Sequence, residues 1–441
     1  MNRYKYLLLL LLTPFFLKSQ INTYSPYSYF GYGILNHTSN TNSISMGGLG
    51  IGVNEHNYLN FSNPATYCFL KNTSFELGVK SSFIKMSQNT LEQRNFTSGL
   101  SMIGLGFPIS KKIGLAFSLS PYSSVGYDLT TSSLILDGSN DGVLASYNYH
   151  GSGGLNKLAF GMAWNARNTS ISQLSIGLNF NYLFGSIERE TTILSDQSST
   201  YFIDKSDKIM RGLNPELGIM YSVSLEDFGG HIFNLGFRLQ PKSIIHAKTK
   251  IMQATYDGPT FISSANETNI LLEDSGVMNE DDFPSSYGIG FSLQDKNKEQ
   301  WLIGIDYRAI SAYSTTESEY NLSADIMRNY DQYIIGGFFT PNQSDIYNYF
   351  NRIKYRCGFA YSAGYLDIGS IVGESSDKLH DLSFSFGMAL PMSKKFSIAN
   401  IGLTYGVINS NSQSNYIQEN YFNLSISMTL SEKWFNKRKI Q

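Results

Sequence analysis

Cysteine and charge are both scarce in this chain, and each scarcity removes a class of protein. Two cysteines, Cys68 and Cys357, are too few for a disulfide framework, and neither lies near the N-terminus, where a lipoprotein anchor would need one. Charged residues make up 15% of 441, well under the roughly 25% of soluble domains. The formal net charge of −2 offers no attraction for nucleic acid or for an acidic polymer. Past the N-terminal stretch no run approaches the roughly 18 apolar residues of a transmembrane helix. The six histidines (His37, His56, His150, His231, His246, His380) are scattered, with no pair at metal-ligand spacing. No Gly-x-Ser-x-Gly elbow joins a strand to a helix, and the Gly47–Gly52 run precedes no helix that would make it a phosphate cradle. The expectation is a protein that is not an enzyme and carries no cofactor or resident metal. Glu273, Asp274, Glu280, Asp281 and Asp282 fall in a long link, where they could hold calcium or form a solvated face.

What is abundant suits strands. Aromatic residues reach 14%, with 30 Tyr and 29 Phe, beside 39 Gly, a mixture fit for aromatic girdles and tight turns. Residues 1–20 read as an export signal: Arg3 and Lys5 lead apolar runs from Leu7 to Leu12 and Pro14 to Leu17, with an exit at Ser19 or Gln20.

From residue 73 onward apolar residues recur at every second position, as in Phe75, Leu77 and Val79, or Leu174, Ile176, Leu178, Phe180 and Tyr182. Such alternation means strands with one oily face and one polar or small face. Links near 108–112, 166–171, 225–231, 294–300, 362–364 and 391–395 are short. Those at 87–97, 122–156, 187–212, 242–283, 308–350, 372–379 and 408–417 are longer, and the two kinds alternate. That is the pattern of an antiparallel transmembrane β-barrel with tight periplasmic turns and extended outer loops, here with fourteen strands, the eleventh around Tyr365 to Val372. Two short turns nearly repeat each other, Phe107–Lys112 and Leu390–Lys395, and read as architecture.

A soluble sandwich alternates too, but its polar faces meet water. Here the faces opposite the oily ones carry Gly, Ala and Ser with isolated charges, which suits a barrel lumen. Strand parity places Glu76, Glu216, Asp306 and Asp367 there with Lys80, Arg238, Arg308, Lys354 and Arg356, nearly cancelling in charge. Outer-membrane lipid is then the expected surroundings of a barrel over residues 71–431, followed by a basic periplasmic tail at 432–441.

Residues 21–70 do not follow the barrel pattern, and they read either as an internal hatch or as a periplasmic tail. Met46, Gly47, Gly48 are followed by Asn63, Pro64, Ala65 just before the first strand. In this order and spacing the chain resembles the FadL-type outer-membrane transporters of long-chain fatty acids and aromatic hydrocarbons. Ser25–Ser28, Gly151–Lys157 and Pro284–Gly290 resemble Bacteroidetes members of that family. The resemblance implies a fourteen-stranded barrel with an N-terminal hatch, Gly47, Gly48, Asn63, Pro64 and Ala65 forming the hatch motif. Between the two motifs the chain departs from the family pattern at Val53 to Phe61, and beyond the last strand it runs on past Trp434 and Phe435 to Lys437, Arg438 and Lys439.

The resemblance implies passage of a hydrophobic small molecule through the plugged barrel. The alternative is an accessory barrel of an envelope complex for secretion or outer-membrane protein assembly. Pro121 and Gly126 could break the third strand near the family's lateral opening, or mark a plain strand end. Tyr313, Tyr320, Tyr330, Tyr333, Phe338 and Phe339 fall in one long outer link and could line a ligand pocket or a protein-binding surface.

Overall fold

The structure is a computed structural model describing residues 23–135, 143–195, 200–226, 230–257, 267–296, 300–313, 327–367, 378–392, 397–410 and 416–432. The export signal expected at 1–20, Tyr320, the second half of the repeated turn (Ser393–Lys395) and tail residues 433–441 lie outside them. The strands are β1 (Ile34–Leu35), β2 (Thr73–Gln88), β3 (Leu91–Pro108), β4 (Ile113–Pro121), β5 (Ser123–Ile135) and β6 (Val143–Asn168). There follow β7 (Ser172–Ser195), β8 (Thr200–Leu225), β9 (His231–Gln240), β10 (Ser243–Asp257), β11 (Glu267–Phe283) and β12 (Ser286–Asp295). The last are β13 (Trp301–Ile310), β14 (Tyr330–Phe339), β15 (Lys354–Asp367), β16 (Lys378–Pro391), β17 (Ser397–Ser410) and β18 (Gln418–Glu432).

Fourteen of these strands close into an antiparallel barrel, β18 pairing with β2 from Gln418↔Ser87 to Glu432↔Thr73. Alternation is the cause. Phe75, Leu77 and Val79 are exposed on the outer face of β2, while Glu76 between them is fully buried. The same holds around the wall, where Phe160, Met162, Trp164, Ile303, Ile305 and Phe384 point outward. Such an oily exterior is stable only against hydrocarbon, and closure pairs the wall strands over most of the bilayer. The protein is a bacterial outer-membrane barrel.

Several links expected to be loops are strands. A bilayer is crossed by about 9–11 residues, yet β6 and β8 have 26 residues each and β7 has 24. Their outer portions continue past the membrane, where β6 pairs with β5 and β8 with β10, and β10 in turn with β11. The link at 87–97 shrinks to a hairpin between Gln88 and Leu91. Outside the bilayer neither face must be oily, so period 2 disappears while backbone pairing continues. The acids Glu273 to Asp282 accordingly sit in β11, and Asp281 is buried 2.6 Å from Lys208 Nζ.

The count of fourteen conceals two offsetting errors. No turn occurs at 362–364, which lies inside β15, so Tyr365–Asp367 of the eleventh strand expected around Tyr365–Val372 belong to β15, and the rest of it lies outside the described residues. The missed strand is β14, inside the link expected at 308–350. Its sequence runs in doublets, Ile334-Ile335, Gly336-Gly337, Phe338-Phe339, because its inner face is apolar too. Ile334 and Phe338 pack there against Met46, Leu49 and Val53 of the N-terminal segment.

That segment descends the inside of the barrel. Tyr27 and Tyr32 pack within the outer extension against Tyr122, Tyr127, Leu155 and Phe283. The stretch around Met46–Val53 crosses the middle, and Leu59 to Leu70 fills the periplasmic end against Ala116, Ala163 and Met220. Wall glycines make this possible. A Cβ on Gly236 would sit 1.9 Å from Ile51 O, and one on Gly114 2.0 Å from Tyr67 O.

Candidate functional site: the lumen and its lateral seam

The lumen charges hold the N-terminal segment. Asp306 on β13 accepts hydrogen bonds from three consecutive backbone amides, Gly50 (2.8 Å), Ile51 (2.8 Å) and Gly52 (3.3 Å). Its neighbour Arg308 donates to Gly48 O at 2.6 Å and lies 3.8 Å from Asp306. A buried carboxylate needs such donors, and a buried guanidinium needs an acceptor, so each fixes the backbone that satisfies it. Glu76 accepts from Asn40 Nδ2 and Ser427 Oγ, both at 3.1 Å. Glu216 pairs with Arg238 Nε at 2.8 Å.

Near the periplasmic end Lys354 meets Glu55 at 2.5 Å, and Arg356 lies 3.8 Å from the same carboxylate and 4.9 Å from the Tyr58 ring centre. Burial pushes the Glu55 carboxyl up, but Lys354 and Arg356 outweigh it and hold the group below its ordinary range. Asn63 is the most connected residue of its motif. Its Nδ2 donates to Ile51 O (2.9 Å) and to Ile219 O of β8 (3.1 Å), while its Oδ1 accepts from Ala65 N (3.1 Å). Pro64 starts the short 3-10 helix Pro64–Phe69, where its missing N–H costs nothing. Gly47 has φ +72 and Gly48 φ +97, and the Gly47 Cβ position meets the Phe359 backbone at 2.9 Å.

Above these anchors is a cavity of about 230 Å³. Phe30, Leu35, Ile44, Met327, Leu366 and Ile408 supply its apolar lining, and Lys80, Arg308, Gln332, Asp381 and Tyr421 its polar groups. Tyr421 Oη donates to Asp381 at 2.8 Å, and Tyr330 Oη lies 2.5 Å from His37 Nε2. The combination suits a mainly apolar molecule carrying one polar end.

Beside the cavity the wall is incomplete. The β3–β4 ladder stops at Ile103↔Leu119. Farther out β3 pairs with β2 alone, while β4 ends at Pro121 and β5 pairs with β6 and with two-residue β1. Pro121, which has no N–H to donate, stands where the ladder fails, and Gly126 is within β5, its carbonyl accepting from Ser25 N at 2.9 Å. A small cavity of about 50 Å³ opens along this seam, bordered by Lys80, Thr97, Leu100, Pro121, Ser124 and Asn36.

Asp367 sits at the outer end of β15, not on a strand of its own, with Arg328 Nε 3.4 Å away. Of the six aromatics expected in one loop, Tyr320 lies outside the described residues and the other five are not gathered in one loop, though Tyr330 lines the cavity. Tyr313 stacks on Tyr32 at 5.0 Å, and the four from Tyr330 onward belong to β14. There Tyr330 and Phe338 face inward, Tyr333 and Phe339 outward to lipid. Among the described residues, sequence reading missed Glu55, Asp381, Glu419 and Lys208 as interior charges. Asp381 and Glu419 fall inside the strands that follow the links expected at 372–379 and 408–417, and share parity with Ser383 and Ser385 and with Asn423 and Ser425, so parity could have found both.

These features define an outer-membrane barrel whose lumen is filled by its own N-terminal segment and whose wall has a lateral seam. A family model described as BamG matches residues 1–441, and the chain belongs to the BamG family. The fold is similar to that of the Ralstonia pickettii toluene transporter TbuX, with a TM-score of 0.54 at 13% identity, over 89% of this chain and 98% of that one. The CymD monoaromatic hydrocarbon channel gives 0.53 at 13%, over 90% and 98%. A Pseudomonas aeruginosa FadL homologue gives 0.52 at 11%, over 91% and 100%. At these identities the likeness is one of fold. No curated protein matches the chain.

Proposed function

We propose that this barrel admits hydrophobic small molecules, fatty acid-like or hydrocarbon-like, from the outer side and releases them sideways through the wall. The observation that carries the reading is the seam between β3 and β5, which adjoins the luminal cavity through Lys80 and Asn36. Residues 21–70 act as the hatch: the anchors at Asp306, Asn63 and Glu55 close the path down the axis, which leaves the side as the exit. Gly47 and Gly48 let the hatch turn against the wall. The fold of the hydrocarbon channels named above supports this reading.

The test is uptake of a long-chain fatty acid or an alkylbenzene into liposomes carrying the protein. Thr97→Cys and Ser124→Cys, in a Cys357→Ala background, are bridged across the seam with a bifunctional maleimide. Bridging should abolish uptake, whereas each single cysteine variant, treated alike, should keep it. Uptake that survives bridging rules out the lateral route.

A second reading is favoured by the outer extension. Ile270, Leu271, Leu272 and Met278 are exposed on β11, beyond the membrane-crossing part of the wall. An accessory subunit of an envelope secretion or outer-membrane protein assembly complex would present such a surface to a partner. Detergent extraction that recovers the barrel in stoichiometric complex with large proteins and no bound lipophile would favour it over transport.

A further inference from the structure

The oily exterior is not uniformly convex. On the periplasmic half of the wall formed by β13–β16, two small residues sit side by side in register, Gly337 on β14 and Cys357 on β15, with Phe386 of β16 next in line. Gly337 has no substitute, since a Cβ there would lie 2.1 Å from Leu302 O. Around them stand exposed Ile303, Ile335, Phe339, Phe359 and Phe384. Small residues ringed by large ones leave a dent of about 430 Å³ in the lipid-facing surface.

Directly below it the β14–β15 link forms a ledge. Asp345 organises that link by accepting from Tyr347 N (2.8 Å), Asn348 N (2.9 Å) and Asn351 Nδ2 (2.6 Å). The ledge leans on the outer side of the rim. Outward-facing Tyr355 donates its hydroxyl to Phe350 O, and Tyr349 donates to Pro391 O of the neighbouring turn, both at 3.2 Å. It presents Ile346, Tyr347 and Phe350 fully or largely exposed, apolar groups that water would penalise and a headgroup region would accept. Arg352 lies on this ledge, its guanidinium 5.1 Å from the Tyr349 ring centre; its Nε is enclosed by protein and has no hydrogen-bond partner among the described residues. The nearby Asp345 carboxylate is already occupied by the three donors just named.

We propose that dent and ledge together hold one phospholipid of the inner leaflet, with an acyl chain laid over Gly337 and Cys357 and the phosphate against Arg352. The dent is continuous with the surface that meets lipid, and Arg352, whose charge acts on Asp345 but which forms no ion pair within 4 Å among the described residues, offers its terminal amino groups to a phosphodiester. Rigid walls and a preorganised ledge favour a held lipid at this position.

The experiment is native mass spectrometry of the full-length protein, reconstituted in nanodiscs of phosphatidylethanolamine and phosphatidylglycerol and released by increasing collision energy. Wild type should keep one phospholipid after the others have left. Cys357→Trp fills the dent and should cut that retention about tenfold, the loss expected when some two buried methylenes are displaced. Arg352→Ala should lower it and Arg352→Lys partly restore it, while Ile426→Trp, on the lipid face of β18, should leave it unchanged. Uptake activity is a separate readout and should not respond to Cys357→Trp. Wild type retaining no phospholipid, or retention indifferent to Cys357→Trp, overturns the proposal. So does a co-purifying protein, in place of lipid, that Cys357→Trp displaces.

Discussion

Replacing Asn63 with Ala removes three hydrogen bonds at one point, and Cys68, five residues on, reports the result. The variant loses the cap on the Pro64–Phe69 turn, worth about 1 kcal/mol, and leaves Ile51 O and Ile219 O without their donor, about 1 kcal/mol each. Because the three act on one joint and are not additive, the local opening free energy should fall by about 2–3 kcal/mol. Cys68 is buried in the same turn, where burial pushes its thiol up to about 11, so alkylation proceeds from the opened form. In a Cys357→Ala background, maleimide labelling of Cys68 should therefore accelerate roughly 30- to 140-fold, at about 1.4 kcal/mol per tenfold. Small-solute conductance in planar bilayers should rise with it. Labelling at the wild-type rate, with unchanged conductance, would refute the idea that Asn63 ties the segment to the wall.

Two further outcomes follow from the same anchors. Because the folded Glu55 carboxyl lies below its ordinary value, its contribution is complete above about pH 4.3 and is lost as pH falls through the folded value. Hydrogen exchange over residues 53–58 should thus quicken in acid in the wild type, whereas Glu55→Gln should exchange fast already at neutral pH, having left half-buried Lys354 without its carboxylate partner. Gly236→Ala should push Ile51 and Gly52 off Asp306, since the new methyl meets backbone and not a movable side chain, and should lower the thermal midpoint through about 1–3 kcal/mol of overpacking.

The anchors also explain the composition. Glycine on the inner wall is used where the N-terminal backbone comes within a methyl group's reach, at Gly114, Gly236, Gly336 and Gly358 among others. Glycine abundance in the sequence signals strands and turns, but its main use in the middle of the barrel is to let one chain segment lie directly against another. The scarce charges have a matching use, because Asp306, Arg308 and Glu216 are spent on buried contacts and not on a solvated surface.

Alternation by itself determined the barrel. Phe75, Leu77 and Val79 against Glu76 and Lys80 can be satisfied together only by a wall with hydrocarbon on one side and polar contacts on the other, and that is readable without coordinates. Charges inside such alternating runs, Glu76, Glu216, Arg238, Asp306, Arg308 and Arg356 among them, took their face from parity for the same reason. What tertiary structure decided lies wherever the second environment is not what alternation assumes. β14 is apolar on both faces because Met46 and Leu49 wait behind it, and the outer parts of β6–β8 lose the regular alternation because no lipid reaches them, although Leu155, Ile187 and Met210 still pack inward. The seam, finally, depends on which strand pairs with which: Pro121 marks where β4 stops, but that β5 turns to β6 and leaves β3 alone is a matter of register across residues far apart in the chain.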